Sequence, residues 1–328
     1  MDLTASYELC RRLHRRHGRT FYLATRLLPA WKRPHVHALY GFARYADEIV
    51  DALDGTPVAE RADRLRTWGD RFLAGLSGTP VDDPILPAVL HTVQVFDLDR
   101  ADFAAFLRSM AMDLTVGAYP TYADLLDYME GSAAVIGTMM LPILRDDIPP
   151  VIAAAPDREP ARKPVREAAR EPVSEAVRES VREAAREPAR QLGLAFQLTN
   201  FIRDVAEDLD RDRIYLPLAD LARFGVRPGD LRARRMTGPV RELIAFEVAR
   251  AREHYALAAP GIPMLAPSSQ VCIRAAYRLY GGILDEIVAA GYDVFARRAT
   301  VPLGKRLAVA AGCLLTRAGR PVPAPASP

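Results

Sequence analysis

Apolar residues recur at three- and four-residue spacings along almost all of the 328-residue chain, with no long alternating run and no Asn-Gly hairpin between them. That period lines one face of an α-helix and is wrong for a strand, whose faces repeat every second residue. Breakers divide the pattern: Pro29, Gly55, Pro57, Pro80, Pro84, Pro120, Pro149-Pro150, Pro217, Pro228-Gly229 and Pro260-Gly261. The spacing predicts helices over 4–17, 32–54, 57–76, 83–96, 100–116, 121–144, 189–210, 239–258, 268–291 and 302–315. Pro142 falls inside one of them and should kink it. The expectation is an all-α fold: one domain over 1–328 of about ten helices, larger than a four-helix bundle and long enough for a substantial core.

One stretch departs from this texture. Residues 158–189 read REPARKPV, REAAREPV, SEAVRESV, REAAREPA, an eight-residue repeat with no aromatic residue and almost no large aliphatic except valine. It holds Pro160, Pro164, Pro172 and Pro188. An interior proline costs a helix about 3 kcal/mol. Ser174 to Glu187 lacks proline and could be helical, with Glu-to-Arg pairs at three-residue spacing. The repeat has too little apolar surface for a core position, so about 153–187 is expected to be a flexible or partly helical surface insertion. Repeat expansion is its simplest origin; a dedicated partner site is the alternative.

Composition narrows the function classes. The 44 basic and 41 acidic residues leave a formal charge of +3, too small an excess to point to nucleic acid. Cys10, Cys272 and Cys313 form no CxxC pair, so neither a zinc knuckle nor a disulfide framework is indicated. His35 and His37, two apart, diverge on a helix and do not make a metal pair. The N-terminal MDLTASYELCRR has no apolar signal core. The late apolar run from Leu307 to Leu315 is well short of the roughly 20 residues of a bilayer span. These features predict a cytoplasmic protein. Peripheral membrane contact through the 302–315 helix or the Arg297-Arg298 pair is the alternative to a plain packed helix.

Two stretches carry chemistry. In Tyr40-GFARYADEIVDALD-Gly55, Asp47 and Asp51 are four apart and stack on one helical face, with Arg44 and Tyr40 one and two turns earlier. Glu48 points about a quarter-turn away and reads as peripheral. Two carboxylates so placed repel, so something cationic should offset them. Arg44 alone could do it, or a hard divalent ion completed by substrate phosphate oxygens. In Gln197-LTNFIRDVAEDLDRDRIYL-Pro217, Gln197, Asn200, Asp204 and Asp208 follow at spacings of three, four and four. Such a row within an otherwise apolar helix is costly unless satisfied. Arg203 flanks it, and Arg211, Arg213 and Tyr215 follow on the loop. Two acidic rows facing across one cleft would make a magnesium cage for a diphosphate. Two solvated faces with local arginine pairs are the plain alternative.

The chain resembles the squalene/phytoene synthase family, the head-to-head trans-prenyl diphosphate synthases, over nearly its whole length except the repeat. The likeness is carried by His17-GRTFYLATRLLP, Tyr40-GFARYADEIVD, Tyr128-MEGSAAVIGTMMLPIL, Gln197-LTNFIRDVAEDLDRDRIYLP and Leu279-YGGILDEIVAAGYDVFARRA. The wording is most similar to bacterial phytoene synthases. The resemblance implies an isoprenoid synthase fold whose central cavity holds two prenyl diphosphates. It implies that Asp47, Asp51, Asn200, Asp204 and Asp208 hold Mg²⁺ (or Mn²⁺ in its place) against diphosphate. Arg44 and Arg203 would bind diphosphate oxygens, with Tyr40, Gln197 and Tyr280 beside them. His17, Gly18, Arg19 and Thr20 match a flap that contributes phosphate contacts, although many members carry serine where Gly18 and Thr20 stand. Phe21 and Tyr128 would line the prenyl channel.

The implied reaction joins two geranylgeranyl diphosphates through a cyclopropyl diphosphate and converts that to phytoene, the first step of carotenoid biosynthesis. No NADPH is expected for that product, and downstream carotenoid enzymes are candidate partners. The nearest alternative is a synthase of squalene, hydroxysqualene or dehydrosqualene from farnesyl diphosphate. A non-catalytic family member acting as an assembly factor should have lost acidic residues that this chain retains.

Overall fold

In a computed structural model, residues 2–52, 55–147 and 175–315 are described. Among them the fold is all-α, with one isolated bridge between Ala118 and Ile214 and no strand. The chain runs through α1 (Leu3–His17), α2 (Arg19–Thr25), α3 (Arg33–Val50), α4 (Val58–Leu76), α5 (Leu86–Phe96), α6 (Arg100–Met112) and α7 (Tyr122–Met129). A π-helical turn at Glu130–Ala134 leads into α8 (Val135–Arg145). After the undescribed residues come α9 (Glu175–Arg203), α10 (Val205–Leu209), α11 (Leu218–Arg223), α12 (Pro228–Arg232) and α13 (Gly238–Ala258). A 3₁₀ turn at Ala259–Met264, α14 (Pro267–Ala289) and α15 (Leu303–Leu315) complete it. No described helix is long and apolar enough to cross a membrane.

The long periodic segments form as expected, and the differences have local causes. The helix expected over 32–54 ends at Val50, where the Val50 carbonyl accepts a hydrogen bond from Arg61 and Asp51 leaves helical geometry. A cation on the last carbonyls is a favourable helix end. The helix expected to start at 83 starts at Leu86, because the Asp83 carboxylate accepts from the Ile85 and Leu86 amides and from Trp68 Nε1. Short α2, α11 and α12 are too brief to show a period.

The end of the repeat is helical, within the partly helical expectation, and departs from it at one buried residue. Residues 153–174 of the expected insertion lie outside the described residues. Its end, from Glu175, is one continuous helix with the acidic row and passes through Pro188. Ala185 is buried, so this end does hold a core position. Sequence reasoning asked for large aliphatics there, but the contact is made by close approach. A Cβ on Gly137 would overlap the Ala189 carbonyl, and one on Gly261 would overlap Pro188.

Two apolar cores flank a central cavity. Leu194, Leu198, Ile244, Val248 and Leu284 belong to one, around α9, α13 and α14. Phe42, Phe72, Leu86 and Phe103 belong to the other, around α3 to α6. Each such side chain contributes roughly 1.5–3 kcal/mol when fully buried. Phe196 and Ile273 pack against both cores. Both also line the cavity between them.

Candidate active site

The first acidic row sits where α3 ends. Arg44, one turn before, donates from Nη1 to Asp47 Oδ2 (2.5 Å) and from Nε to Glu48 Oε1 (3.0 Å). His17 Nε2 lies 3.6 Å from the same Glu48 oxygen. Glu48, expected at the periphery, therefore joins the start of the flap to the row. Burial, then the neighbouring Asp51, pushes the Asp47 carboxyl up to about 6 against the pull of Arg44.

The second row runs off the end of α9. Asp204 breaks regular helix geometry, yet its amide still donates to the Asn200 carbonyl (2.8 Å) and the Asp208 amide to that of Asp204 (2.9 Å). The four-residue register therefore continues, and Asn200, Asp204 and Asp208 remain stacked. Arg203 Nε and Arg298 Nε each donate to Asp204 Oδ1 at 2.7 Å, and both guanidiniums also reach Oδ2. Burial would raise this carboxyl, but the two arginines outweigh it and hold it below the usual range. Asp208 has no such clamp. Burial, then Asp204, pushes it up to about 8.

Arg213 joins the two rows. Its Nη1 donates to Asp51 Oδ1 (2.7 Å) and its Nη2 to the Asp113 carbonyl (3.1 Å). Arg213 and Arg211 also act electrostatically on Asp208, and Arg211 on Asp47. The structure thus brings Asp47, Asp51 and Asp208 together through Arg211 and Arg213, with Asp204 beside Asp208.

Below the rows the walls turn apolar. Phe21 stacks on Tyr280 (centroids 4.3 Å apart, planes 18° apart), and Phe196 lies 4.7 Å from Tyr280. Tyr280 also interacts electrostatically with Arg203, linking this aromatic group to the second row. Phe21 and Phe196 then open the central cavity, whose lining includes Leu39, Met140, Leu192 and Ile273. Tyr40 lines it too, with its ring on His14 (4.1 Å, 9°). That pair accounts for Gly18: a Cβ there would stand 2.6 Å from the Tyr40 ring and 2.9 Å from the His14 ring. Arg19 is exposed at the start of α2 and Thr20 half-buried beside it. Gln197 is half-buried one turn before Asn200. Tyr128, expected on the channel wall, sits elsewhere. It is buried near Tyr119, Phe201 and Tyr215 and donates to Asp113 Oδ2 at 2.7 Å.

Sequence reasoning missed three residues. Asp113 accepts from Tyr128 and from Tyr215 (3.0 Å), and burial pushes it up to about 6. It has no acidic neighbour at helical spacing to mark it. Arg298 stands outside both acidic stretches, and the sequence marks it only as half of an arginine pair. His14 is buried with Nε2 unpartnered.

The donor set fits a divalent ion. Asn200 Oδ1 is buried with no hydrogen-bond partner, an uncommon state for a native polar atom. Burial holds the Asp47 and Asp208 carboxyls high, and a cation bound between them would favour their ionised forms. Among the described residues no three carboxylate, imidazole or thiol groups gather closely enough to cage an ion alone. An ion here would complete its shell from substrate oxygens, as Mg²⁺ does with phosphates.

The sequence profile of the squalene/phytoene synthase family matches residues 14–305. The phytoene synthase of Arthrospira platensis is 35% identical over 304 residues, covering 92% of this chain and 90% of that protein. The 15-cis-phytoene synthase of a Synechocystis species is 35% identical over 309 residues, covering 92% and 82%. A ligand-bound dehydrosqualene synthase superposes with a TM-score of 0.78 at 23% identity, covering 95% and 96%. A squalene synthase of Alicyclobacillus acidocaldarius superposes at 0.70 with 26% identity, covering 89% and 96%.

Proposed function

The chain belongs to the squalene/phytoene synthase family, and on that premise we propose that this prenyltransferase joins two geranylgeranyl diphosphates head to head to give phytoene, with Mg²⁺ as its ion. The observation that carries the reading is the pair of acidic rows, the first tied to Arg213 through Asp51 and the second joined through Arg203, Tyr280 and Phe21 to the wall of an apolar cavity. The twenty-carbon tail rests on relatives named phytoene synthase that match over nine-tenths of the chain.

Asp47, Asp51, Asn200, Asp204 and Asp208 would hold the ions. Bound Mg²⁺ supplies Lewis acidity at the leaving diphosphate. Arg44 and Arg203 present planar forks of N–H donors suited to phosphate oxygens. Stabilisation of the departing negative charge is the largest contribution such a site makes. The allylic cation left behind faces Phe21, Phe196 and Tyr280, and each aromatic face stabilises it by roughly 0.5–2 kcal/mol. The apolar walls keep water from quenching it. In the first stage the two chains join as a cyclopropyl diphosphate, releasing one diphosphate and one proton. In the second the cyclopropyl diphosphate ionises, rearranges and loses a proton. Incubation of the purified protein with Mg²⁺ and either geranylgeranyl or farnesyl diphosphate, followed by product mass, tests the reading. A forty-carbon hydrocarbon is expected; a thirty-carbon product alone overturns the assignment.

A further inference from the structure

The repeat is the one sequence feature that the reaction leaves unused, and its last unit reaches the cavity. One face of α9, with its register continued one residue past the helix end, carries Ala185, Ala189, Leu192, Phe196, Asn200 and Asp204 in order, at spacings of three and four. The first four line the apolar cavity, and the last two belong to the second acidic row. At 1.5 Å rise per residue, Ala185 lies roughly 20 Å down the helix from Asn200. The helix is therefore a ruler, with its polar mark at the cleft and its far apolar mark in the repeat.

This end of the ruler cannot easily retreat. The Ala189 carbonyl lies in backbone contact with Gly137, and Pro188 packs on Gly261. Arg190 donates from Nε to Glu130 Oε1 (3.1 Å), and Arg186 stands 3.9 Å from Asp102. A larger side chain at 185 must then take its volume from the cavity.

We propose that the last repeat unit, through Ala185, Pro188 and Ala189, forms the tail end of the prenyl tunnel, and that Ala185 sets the longest tail the protein accepts. The inference rests on the prenyl-joining reading above and adds the residue that limits chain length. The preceding unit carries Val177 at the matching place, so the tunnel receives the smaller of the two residues the repeat supplies there.

The test uses the full chain and compares kcat/KM for geranylgeranyl and farnesyl diphosphate in the wild type, Ala185→Phe and Ala185→Val. Adding one methylene's worth of bulk to an apolar pocket changes selectivity by about 10- to 200-fold. Ala185→Phe should lower the geranylgeranyl-to-farnesyl ratio by at least about tenfold, mainly through loss of geranylgeranyl turnover, and Ala185→Val should move it the same way by less. Ala184, adjacent but exposed, gives the control: Ala184→Phe should leave the ratio unchanged. If Ala185→Phe does not fold, as judged by circular dichroism, Ala185→Val decides. A folded variant whose ratio stays within about twofold of the wild type overturns the proposal. If the wild type accepts only the farnesyl substrate, the phytoene reading fails by itself. The tunnel-end assignment then stands or falls on whether Ala185→Phe moves the preference from fifteen to ten carbons.

Discussion

Asp204 and Asp208 are one turn apart and chemically opposite. Two guanidiniums hold Asp204 ionised, while burial keeps a proton on Asp208 near neutrality. Asp204 therefore already carries its charge, whereas Asp208 gains one as its proton leaves. Asp51→Ala removes the partner of Arg213, and Asp204→Ala leaves Arg203 and Arg298 without their shared acceptor. Each should lower turnover by at least about 10²-fold while the helical circular dichroism signal survives. A variant with near-normal activity would show that its residue is no ion ligand. His14 supports a pH prediction. Burial, then His37, pushes it down to about 3, below the 6.5 of a free imidazole. The unfolded chain therefore binds this proton more tightly, and the stabilisation from a neutral His14 is complete above pH 6.5 and is lost as pH falls towards 3. Thermal melts from pH 7 to 4 should show His14→Gln losing less of its melting temperature than the wild type.

At the scale of elements, glycines decide how closely helices meet. Gly137 lets α8 touch α9, and Gly193 on α9 meets the Ala133 backbone in the π-helical turn. Gly137, Ala189, Gly193 and Phe196 all line the cavity, so these close approaches form part of its wall. Gly137→Ala should destabilise the fold by about 1–3 kcal/mol, since the added methyl overlaps a carbonyl that can shift little. Gly304→Ala in α15 meets open space and should be neutral or stabilise by up to about 1 kcal/mol. Urea unfolding of both variants checks the contrast. Equal effects would mean that α8 and α9 separate easily.

Across the whole molecule, the cleft is assembled from opposite ends of the chain. Asp51 meets Arg213, 162 residues later, and Asp204 meets Arg298, 94 residues later. No trio of protein ligands gathers in one place among the described residues. Mg²⁺ alone should therefore raise the melting temperature little, and diphosphate alone little. The two together should stabilise by about 2.7 kcal/mol at one hundred times their joint dissociation constant. Differential scanning fluorimetry of the three combinations measures this. A full shift with Mg²⁺ alone would point to a site made by protein groups only.

The helix pattern and the two acidic rows were legible in the sequence because both depend on spacing along one helix. A three- or four-residue interval fixes a shared face whatever the helix later packs against. Asp47 with Asp51, and Asn200 with Asp204 and Asp208, needed nothing more. Asp113, Arg298 and the Gly18 cradle under Tyr40 and His14 carry no such interval. Their neighbours are far off in the chain, so only packing decided them. Tyr128 moved from the channel wall to Asp113 for the same reason: periodicity says that a ring is buried, while its hydroxyl settles beside whichever acceptor the folded chain brings within reach.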